Sequence, residues 1–356
     1  MRNISQGLPP TDTVARASGL RNAVALAAVA TALFALPELS LAQAAHEPPA
    51  WAPLPPGPAR GEVEVLHVKG NVYMIAGAGA NITVQAGDEG MLLVDTGSAA
   101  MSGAVIDALA TIPTGGPLRY IINTVESLDH TGGNEAIVVT GETVPLRGEN
   151  YGAGPQGGLD YKRASLISYL NVFTRMVLPT SGNPVRDEDA WPDNTYSTPF
   201  KRLYFNDEPI IITHMTANTD GNSVVLFRRS DVISTGDLLD LTRYPLIDIE
   251  AGGSIDDFIV ALNDLISLAV PVANSGGGTL IVPGHGRVAD HAEVAAYRDM
   301  MVIVRDRIKD MIDRGMSLEQ IQEAGPTRGY DAQFGAERGP WTTRMFVEAA
   351  YRSLTD

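Results

Sequence analysis

Short apolar runs, broken by glycine, asparagine and aspartate, dominate the sequence from residue 61 onward. Residues 63–68 and 72–75 flank Gly70-Asn71, and residues 81–85 and 91–94 flank Gly87-Asp88-Glu89-Gly90, so each pair predicts a β-hairpin. A helical period follows over 99–112, then a short apolar strand over 120–123. The pattern loosens between 148 and 200, where one helix is predicted over 159–177 between Gly-rich and Pro/Asp/Asn-rich stretches. A long irregular insertion of this kind usually overhangs a site. Hairpins return at 202–205 with 210–214 around Asn206-Asp207, and at 223–227 with 232–234 around Arg229-Ser230. Ser254 and Asp257 predict the capped start of a helix running to 269, and a strand follows over 279–282. The chain ends in three helical stretches: 292–314, one capped by Ser317 with Gln320, and 342–354. Strands interleaved with helices predict an α/β protein whose chemistry sits in loops at the carboxyl ends of strands.

The front of the chain is of another kind. Arg16 and Arg21 precede an apolar run over 23–37, followed by Leu41-Ala42-Gln43-Ala44. Basic, apolar and small-residue regions in that order predict a secretory signal over 1–44, cleaved after Ala44. The run is shorter than the roughly 20 residues that span a bilayer, so cleavage is expected rather than anchoring. Residues 45–60 are Pro-rich and read as an extended linker. The expected mature protein is therefore periplasmic or secreted, with no membrane association. It has no cysteine, which excludes thiolate catalysis and thiolate metal ligation. The formal net charge of −16 repels polyanions, so nucleic acid is not an expected partner and a small molecule is.

Candidate chemistry collects in a few short motifs. Asp95-Thr96-Gly97 ends a predicted strand. The run Asn123-Thr124-Val125-Glu126-Ser127-Leu128-Asp129-His130-Thr131-Gly132-Gly133-Asn134 follows the next one. Later come Asn218-Thr219-Asp220-Gly221-Asn222, Thr235-Gly236-Asp237 and Pro283-Gly284-His285-Gly286. In this order the motifs resemble the landmarks of the metallo-β-lactamase superfamily, over 62–289. The central run is similar to the family signature His-x-His-x-Asp-His followed by Gly-Gly, with Val125 and Ser127 where the first two histidines belong. Asn218 likewise stands at a histidine position of the third motif. Gly339-Pro340-Trp341-Thr342 resembles an element in the C-terminal helices of secreted members.

The resemblance implies a four-layer αβ/βα sandwich over 61–290, with an extra helical extension over 291–356. It also implies a divided site. The three histidines of the family's first metal correspond to Val125, Ser127 and Asn218, none of which is a good ligand. The ligands of the second metal correspond to Asp129, His130, Asp237 and His285, and all four are present. Two imidazoles and two carboxylates suit one zinc, iron or manganese ion. The function so implied is hydrolysis of an ester, lactone, thioester or lactam by a metal-bound water. Asp129 would serve the chemistry, and Ser127 and Asn218 would position water or an oxyanion. A persulfide-dioxygenase role is disfavoured, because such relatives place iron in the first position. The competing function is a non-catalytic binding protein using the same cleft.

Other residues carry plainer expectations. Asp95 is expected to accept backbone hydrogen bonds at a turn, and Gly132 and Gly133 to serve close packing. His214 is expected to be a partly exposed strand histidine, and Trp191, Tyr161 and Tyr169 either line a pocket or pack locally. Gly77-Ala78-Gly79-Ala80-Asn81 joins two strands, so it is no phosphate loop, and a flap over the site is expected there.

Overall fold

A computed structural model describes residues 61–113, 116–143, 162–178, 185–272 and 277–355. The expected signal, the linker and Tyr161 lie outside the described residues. Twelve strands form two sheets among them. The first sheet holds β1 (Glu64–Lys69), β2 (Val72–Ala76), β3 (Ile82–Gly87), β4 (Gly90–Val94), β5 (Leu118–Asn123), β6 (Ser165–Tyr169) and β7 (Asn194–Tyr196), side by side in sequence order. Strands β1 to β4 form an antiparallel meander, and β4 to β7 pair parallel. The second sheet holds β8 (Phe200–Phe205), β9 (Glu208–His214), β10 (Ser223–Phe227), β11 (Val232–Ser234) and β12 (Leu280–Val282) in the order β12-β11-β10-β9-β8. Only the β11–β12 pair is parallel.

The layers follow from alternation along the strands. In β4, Leu92 and Val94 point between the sheets, where they meet Ile122, Ile210, Ile212, Val225 and Phe227. Leu93 points the other way, toward Val105 of α1 (Ser102–Leu109) and Ile137 of α3 (Asn134–Val138). A strand covered on both faces needs an unbroken apolar run, and Met91-Leu-Leu-Val94 supplies it. The outer face of the second sheet, with Val224, Ile233 and Ile281, packs on α5 (Ile255–Leu268), α6 (His291–Asp313) and α9 (Thr343–Thr355) through Phe258, Leu262, Met301, Val304 and Phe346. Helix, sheet, sheet and helix make the expected four layers, and the C-terminal helices are part of the outer one.

Local signals behave as their chemistry requires. Asn206 and Asp207, at φ 52° and 58°, form the tight β8–β9 turn. Ser254 accepts from the Asp257 N–H at the start of α5, and Ser317 with Gln320 completes a capping box on α7 (Leu318–Ala324). Asp290 with Glu293 forms a further capping box on α6. No described helix is long and apolar enough to cross a membrane.

One expected element is wrong. The helix predicted over 159–177 is a strand followed by a helix within its described part: β6, then α4 (Leu170–Val177). Ser165–Tyr169 is apolar enough for either state, and periodicity does not separate a short buried strand from a buried helix turn. The parallel ladder with β5, from Tyr120↔Ser165 to Asn123↔Ser168, decides it. Three-residue β7 was below the reach of any pattern.

Candidate metal centre

The site is assembled where strand ends meet at one edge of the sandwich. Strand β4 delivers Asp95, a non-glycine residue at φ 65°. Its carboxylate accepts from the Thr124 N–H at 2.8 Å, from Thr124 Oγ1 at 2.6 Å and from His130 Nδ1 at 2.7 Å. Asp95 therefore does more than the expected turn role: it fixes one ring nitrogen of His130. The signature then runs from β5 into α2 (Leu128–Thr131). Thr131 Oγ1 donates back to the carbonyls of Glu126 and Ser127, and Asn123 and Asn134 exchange hydrogen bonds across the loop at 3.1 and 2.8 Å. Gly132 and Gly133 have ordinary helical φ angles, so it is space that requires them. A Cβ on Gly132 would lie 2.5 Å from the Leu128 carbonyl oxygen, and one on Gly133 2.5 Å from that of Thr96.

The second half of the molecule supplies Asp237 and His285. Gly236 has φ 51°, and a Cβ there would come within 2.3 Å of Thr124 Oγ1, so this position takes only glycine. The Gly284 N–H donates to the Gly236 carbonyl at 2.9 Å, and the Leu241 N–H to that of His285 at 3.0 Å. The expected flap over 77–81 is instead a bracket. The Ala80 N–H bonds the Asp129 carbonyl at 3.0 Å, and the Asn81 N–H that of Gly284 at 2.8 Å. Asn81 Nδ2 donates to the carbonyls of Pro283 and Gly286, both at 2.9 Å. Ala78 and Ala80 are buried, so the segment holds the Asp129 and Gly284 loops together rather than covering them.

Asp129, His130 and His285 present ligand atoms that all lie within 4.8 Å of one another. His285 Nε2 is 3.1 Å from Asp129 Oδ2, close enough for charge attraction but off the hydrogen-bonding direction, so that this buried nitrogen completes no hydrogen bond. Asp237 Oδ1 is 3.0 Å from His130 Nε2 and 3.6 Å from His285 Nε2. His130 is fully buried, whereas the Asp129 side chain is 37% exposed and opens the group to solvent.

Electrostatics bind these groups together. Burial disfavours a charged His130, but the carboxylates of Asp237 and Asp95 outweigh it and raise its pKa well above the ordinary imidazole value. Burial also pushes Asp129 and Asp237 up. For Asp129 the close approach of the His285 ring and the charge of His130 reverse this, and for Asp237 the charge and hydrogen bond of His130 do so. Both carboxyls are held below the usual range. A cluster of ionised carboxylates around two imidazoles, one with an unsatisfied buried nitrogen, fits a divalent cation, which would replace the shared proton.

The three remaining positions are different. Val125 is buried and offers no donor atom. The Ser127 hydroxyl is buried without a hydrogen bond of proper geometry, and favours the ionised form of Asp129. Asn218 is 2% exposed and accepts from Asn222 Nδ2. Nor does His214 replace a lost ligand: its Nε2 faces the Asp220 carbonyl at 2.8 Å and its ring stacks on Tyr169 at 3.7 Å. Trp191 donates to the Arg186 carbonyl and meets Phe173 edge-on, so Tyr169 and Trp191 pack locally.

An ion-pair network lies against the signature loop, and it was not foreseen. Glu126, 3% exposed, pairs with Arg175 of α4 at 3.2 Å, and Arg175 also bonds Asp220 and the Ala251 carbonyl. Arg186 donates to the Glu126 carbonyl at 2.9 Å. Burial raises the Glu126 pKa even though Arg175 opposes it. Within the signature, Glu126 reads as an unremarked spacer, and only the ladder that brings α4 beside it gives it a partner.

The chain belongs to the metallo-β-lactamase superfamily of hydrolases, whose family model matches residues 75–285. No curated protein matches. Among solved structures it is similar to the stereoselective inverting sec-alkylsulfatase Pisa1 from Pseudomonas sp., at 13% identity and a TM-score of 0.58, over 82% of this chain and 50% of that one. The chain thus spans half the length of the alkylsulfatase. It also aligns with a metallo-β-lactamase from Pontibacter korlensis, at 16% identity, TM-score 0.47, over 67% of this chain and 99% of that one. The DIM-1 metallo-β-lactamase gives 14% identity, TM-score 0.44, over 67% and 97%. At 13% identity the likeness to the alkylsulfatase speaks for the fold.

Proposed function

We propose that this protein is an exported hydrolase that works with one metal ion, on an ester, lactone, thioester or lactam-type small molecule. The observation that carries the reading is the buried, unsatisfied His285 Nε2 among the clustered ligand atoms of Asp129 and His130. Asp129, His130 and His285 would hold the ion, with Asp237 as the further carboxylate beside both histidines. Three protein ligands with a carboxylate nearby suit zinc, and iron or manganese is accommodated by the same donors. Once bound, such an ion supplies an activated water near neutral pH and polarises a carbonyl. The chain's own residues do the rest. Asp95 orients the His130 ring through Nδ1. The Asp129 carboxylate, its pKa lowered and its side chain partly exposed, would accept a proton from the attacking water. Ser127 and Asn218 would orient the carbonyl or its oxyanion.

The test is elemental analysis of mature protein purified without chelator, joined to a panel of chromogenic esters, lactones, thioesters and lactams. About one equivalent of transition metal is expected, with hydrolysis lost together with the metal in His130→Ala and His285→Ala. Two equivalents would overturn the single-metal reading. No metal even after reconstitution would select a non-catalytic binding protein in its place. The export reading rests on the order of residues 1–44. N-terminal sequencing of periplasmic or secreted protein is expected to begin at or next to Ala45, and an intact Met1 on membrane-associated protein would refute it.

A further inference from the structure

Shortly after Asp237 the chain makes a tight turn whose hydrogen bonds hold one cation near the ligand cluster. The turn is fixed to the His285 loop: Asp240 and His285 form a parallel β-bridge, and the Leu241 N–H bonds the His285 carbonyl at 3.0 Å. Asp240 is buried, and its two oxygens divide the work of the turn. Oδ1 accepts from the Thr242 N–H at 2.8 Å and from Thr242 Oγ1 at 2.6 Å. Oδ2 accepts from Arg243 Nε at 2.7 Å. A guanidinium carries five N–H donors in a flat fork, and Asp240 takes one of them. The remaining edge, Nη1 with Nη2, makes no hydrogen bond among the described residues.

Arg243 stands in the field of the ligand cluster without touching it. Burial disfavours its charge, but the Asp240 carboxylate outweighs burial, and those of Asp237 and Asp129 add to the attraction, so its pKa is raised. Among the described residues its ion pair is with Asp240 and not with Asp237 or Asp129, so the pull of those two crosses a gap. The Arg243 and Asp129 side chains on either side of it are 33% and 37% exposed, so a ligand can reach both from solvent. A divalent ion at the cluster would balance Asp129 and Asp237, and would leave the Nη edge facing no anion of the protein. Two parallel N–H groups on a planar cation match the two oxygens of a carboxylate.

We propose that Arg243, held by Asp240, is a specificity-determining residue that receives a carboxylate on the substrate, so that the site prefers carboxylate-bearing esters, lactones, thioesters or lactams to their neutral counterparts. The catalytic part of this inference rests on the hydrolase reading above, and the carboxylate-binding part does not.

Matched substrates test it. The mono-4-nitrophenyl esters of succinic, glutaric and adipic acid are each compared with the neutral 4-nitrophenyl ester of the same acyl length, after subtraction of spontaneous hydrolysis. The wild type is expected to prefer the anionic member of at least one pair, on the order of 10–100-fold in kcat/KM and mainly through KM, as for a hydrogen bond to a charged group. Arg243→Gln keeps an amide that can donate to Asp240 but removes the charge and the fork, and should bring the two members of that pair together by loss on the anionic one. Arg243→Lys keeps the charge without the fork and should retain part of the preference. Binding is read separately by calorimetric titration of the metal-loaded protein with glutarate, whose affinity should fall in Arg243→Gln with metal content unchanged. If the wild type hydrolyses none of the esters yet binds glutarate in this Arg243-dependent way, the hydrolase reading fails and the carboxylate site stands. The proposal is overturned if the wild type hydrolyses both members of every pair equally, if it neither hydrolyses the esters nor binds glutarate, or if preference or affinity survives in Arg243→Gln. Arg243 would then serve only as the partner of buried Asp240.

Discussion

Two neighbouring parts of one loop system have opposite characters. Around Asp129, His130, Asp237 and His285, ionisable groups crowd together, and the pKa values of Asp129, His130 and Asp237 are shifted by their neighbours. Val125, Ser127 and Asn218, on the same signature and the facing loop, are themselves not ionisable. The backbone does not share this contrast. Both parts hang from the same anchors: Asp95 to Thr124, Thr131 to the carbonyls of Glu126 and Ser127, Asn123 to Asn134, and Ser223 to Thr124. None of these anchors uses the side chain of Val125, Ser127 or Asn218. The side chains at Val125, Ser127 and Asn218 can therefore vary without disturbing these anchors, because strand ends and buried asparagines hold the loops in place.

The largest effect should come from rebuilding what is missing. If the two parts differ only in side chains, Val125→His, Ser127→His and Asn218→His together should raise metal content from about one to about two equivalents. They should also increase lactone or lactam hydrolysis, since Asp237 remains available to bridge two ions. Single replacements should add little, because one imidazole with a shared carboxylate is a poor zinc site. Elemental analysis decides. A folded triple variant that stays at one equivalent would show that the first position has been reshaped beyond its ligands.

A smaller effect separates the ligands from what supports them. Asp95 touches His130 Nδ1 but lies behind it. Asp95→Asn keeps the shape and removes the charge that orients and polarises the ring. Loss of such an outer partner typically lowers metal affinity 10–100-fold. Chelator competition should register a drop of that order with stoichiometry unchanged. Equal affinities in variant and wild type would reduce Asp95 to the turn residue that its place at a strand end first suggests.

The contrast between the two parts was legible in sequence because it is written in residue types: a histidine replaced by valine is visible without coordinates. The hairpins were equally plain, since Gly70-Asn71 and Asn206-Asp207 can do little else between apolar runs. What escaped was relational. Ser165–Tyr169 became a strand because β5 lay beside it, and no property of those five residues alone says so. The glycines of 77–81 suggest the freedom of a flap, whereas the segment is a bracket. In the fold Gly79 and Gly97 are there to let backbones approach, a Cβ at Gly97 meeting the Ala78 carbonyl at 2.6 Å. Glu126 was passed over for the same reason: its partner Arg175 is 49 residues away, on a helix whose start was misplaced.

That buried glutamate gives the finest test of the comparison, because it lies on the signature yet belongs to neither set of ligands. Burial raises its pKa in the folded state, against the pull of Arg175. A group whose folded pKa is raised contributes stability that is present below its unfolded pKa and is lost as pH rises through the folded one. Asp129 and Asp237 have the opposite sign: their depressed pKa values contribute stability above the unfolded pKa that is lost on acidification. The two trends overlap in the wild type, but Glu126→Gln removes only the first. The difference between the two proteins therefore isolates Glu126. Urea unfolding of metal-free protein between pH 4.5 and 8 should show the variant gaining on the wild type as pH rises. Arg175 attracts only the ionised form of Glu126, so that its pull is already contained in the direction of the folded pKa, while the glutamine keeps an oxygen to accept from Arg175. Parallel curves would mean that Arg175 fully compensates the burial of Glu126, and that the signature loop carries no pH-dependent load outside the metal ligands.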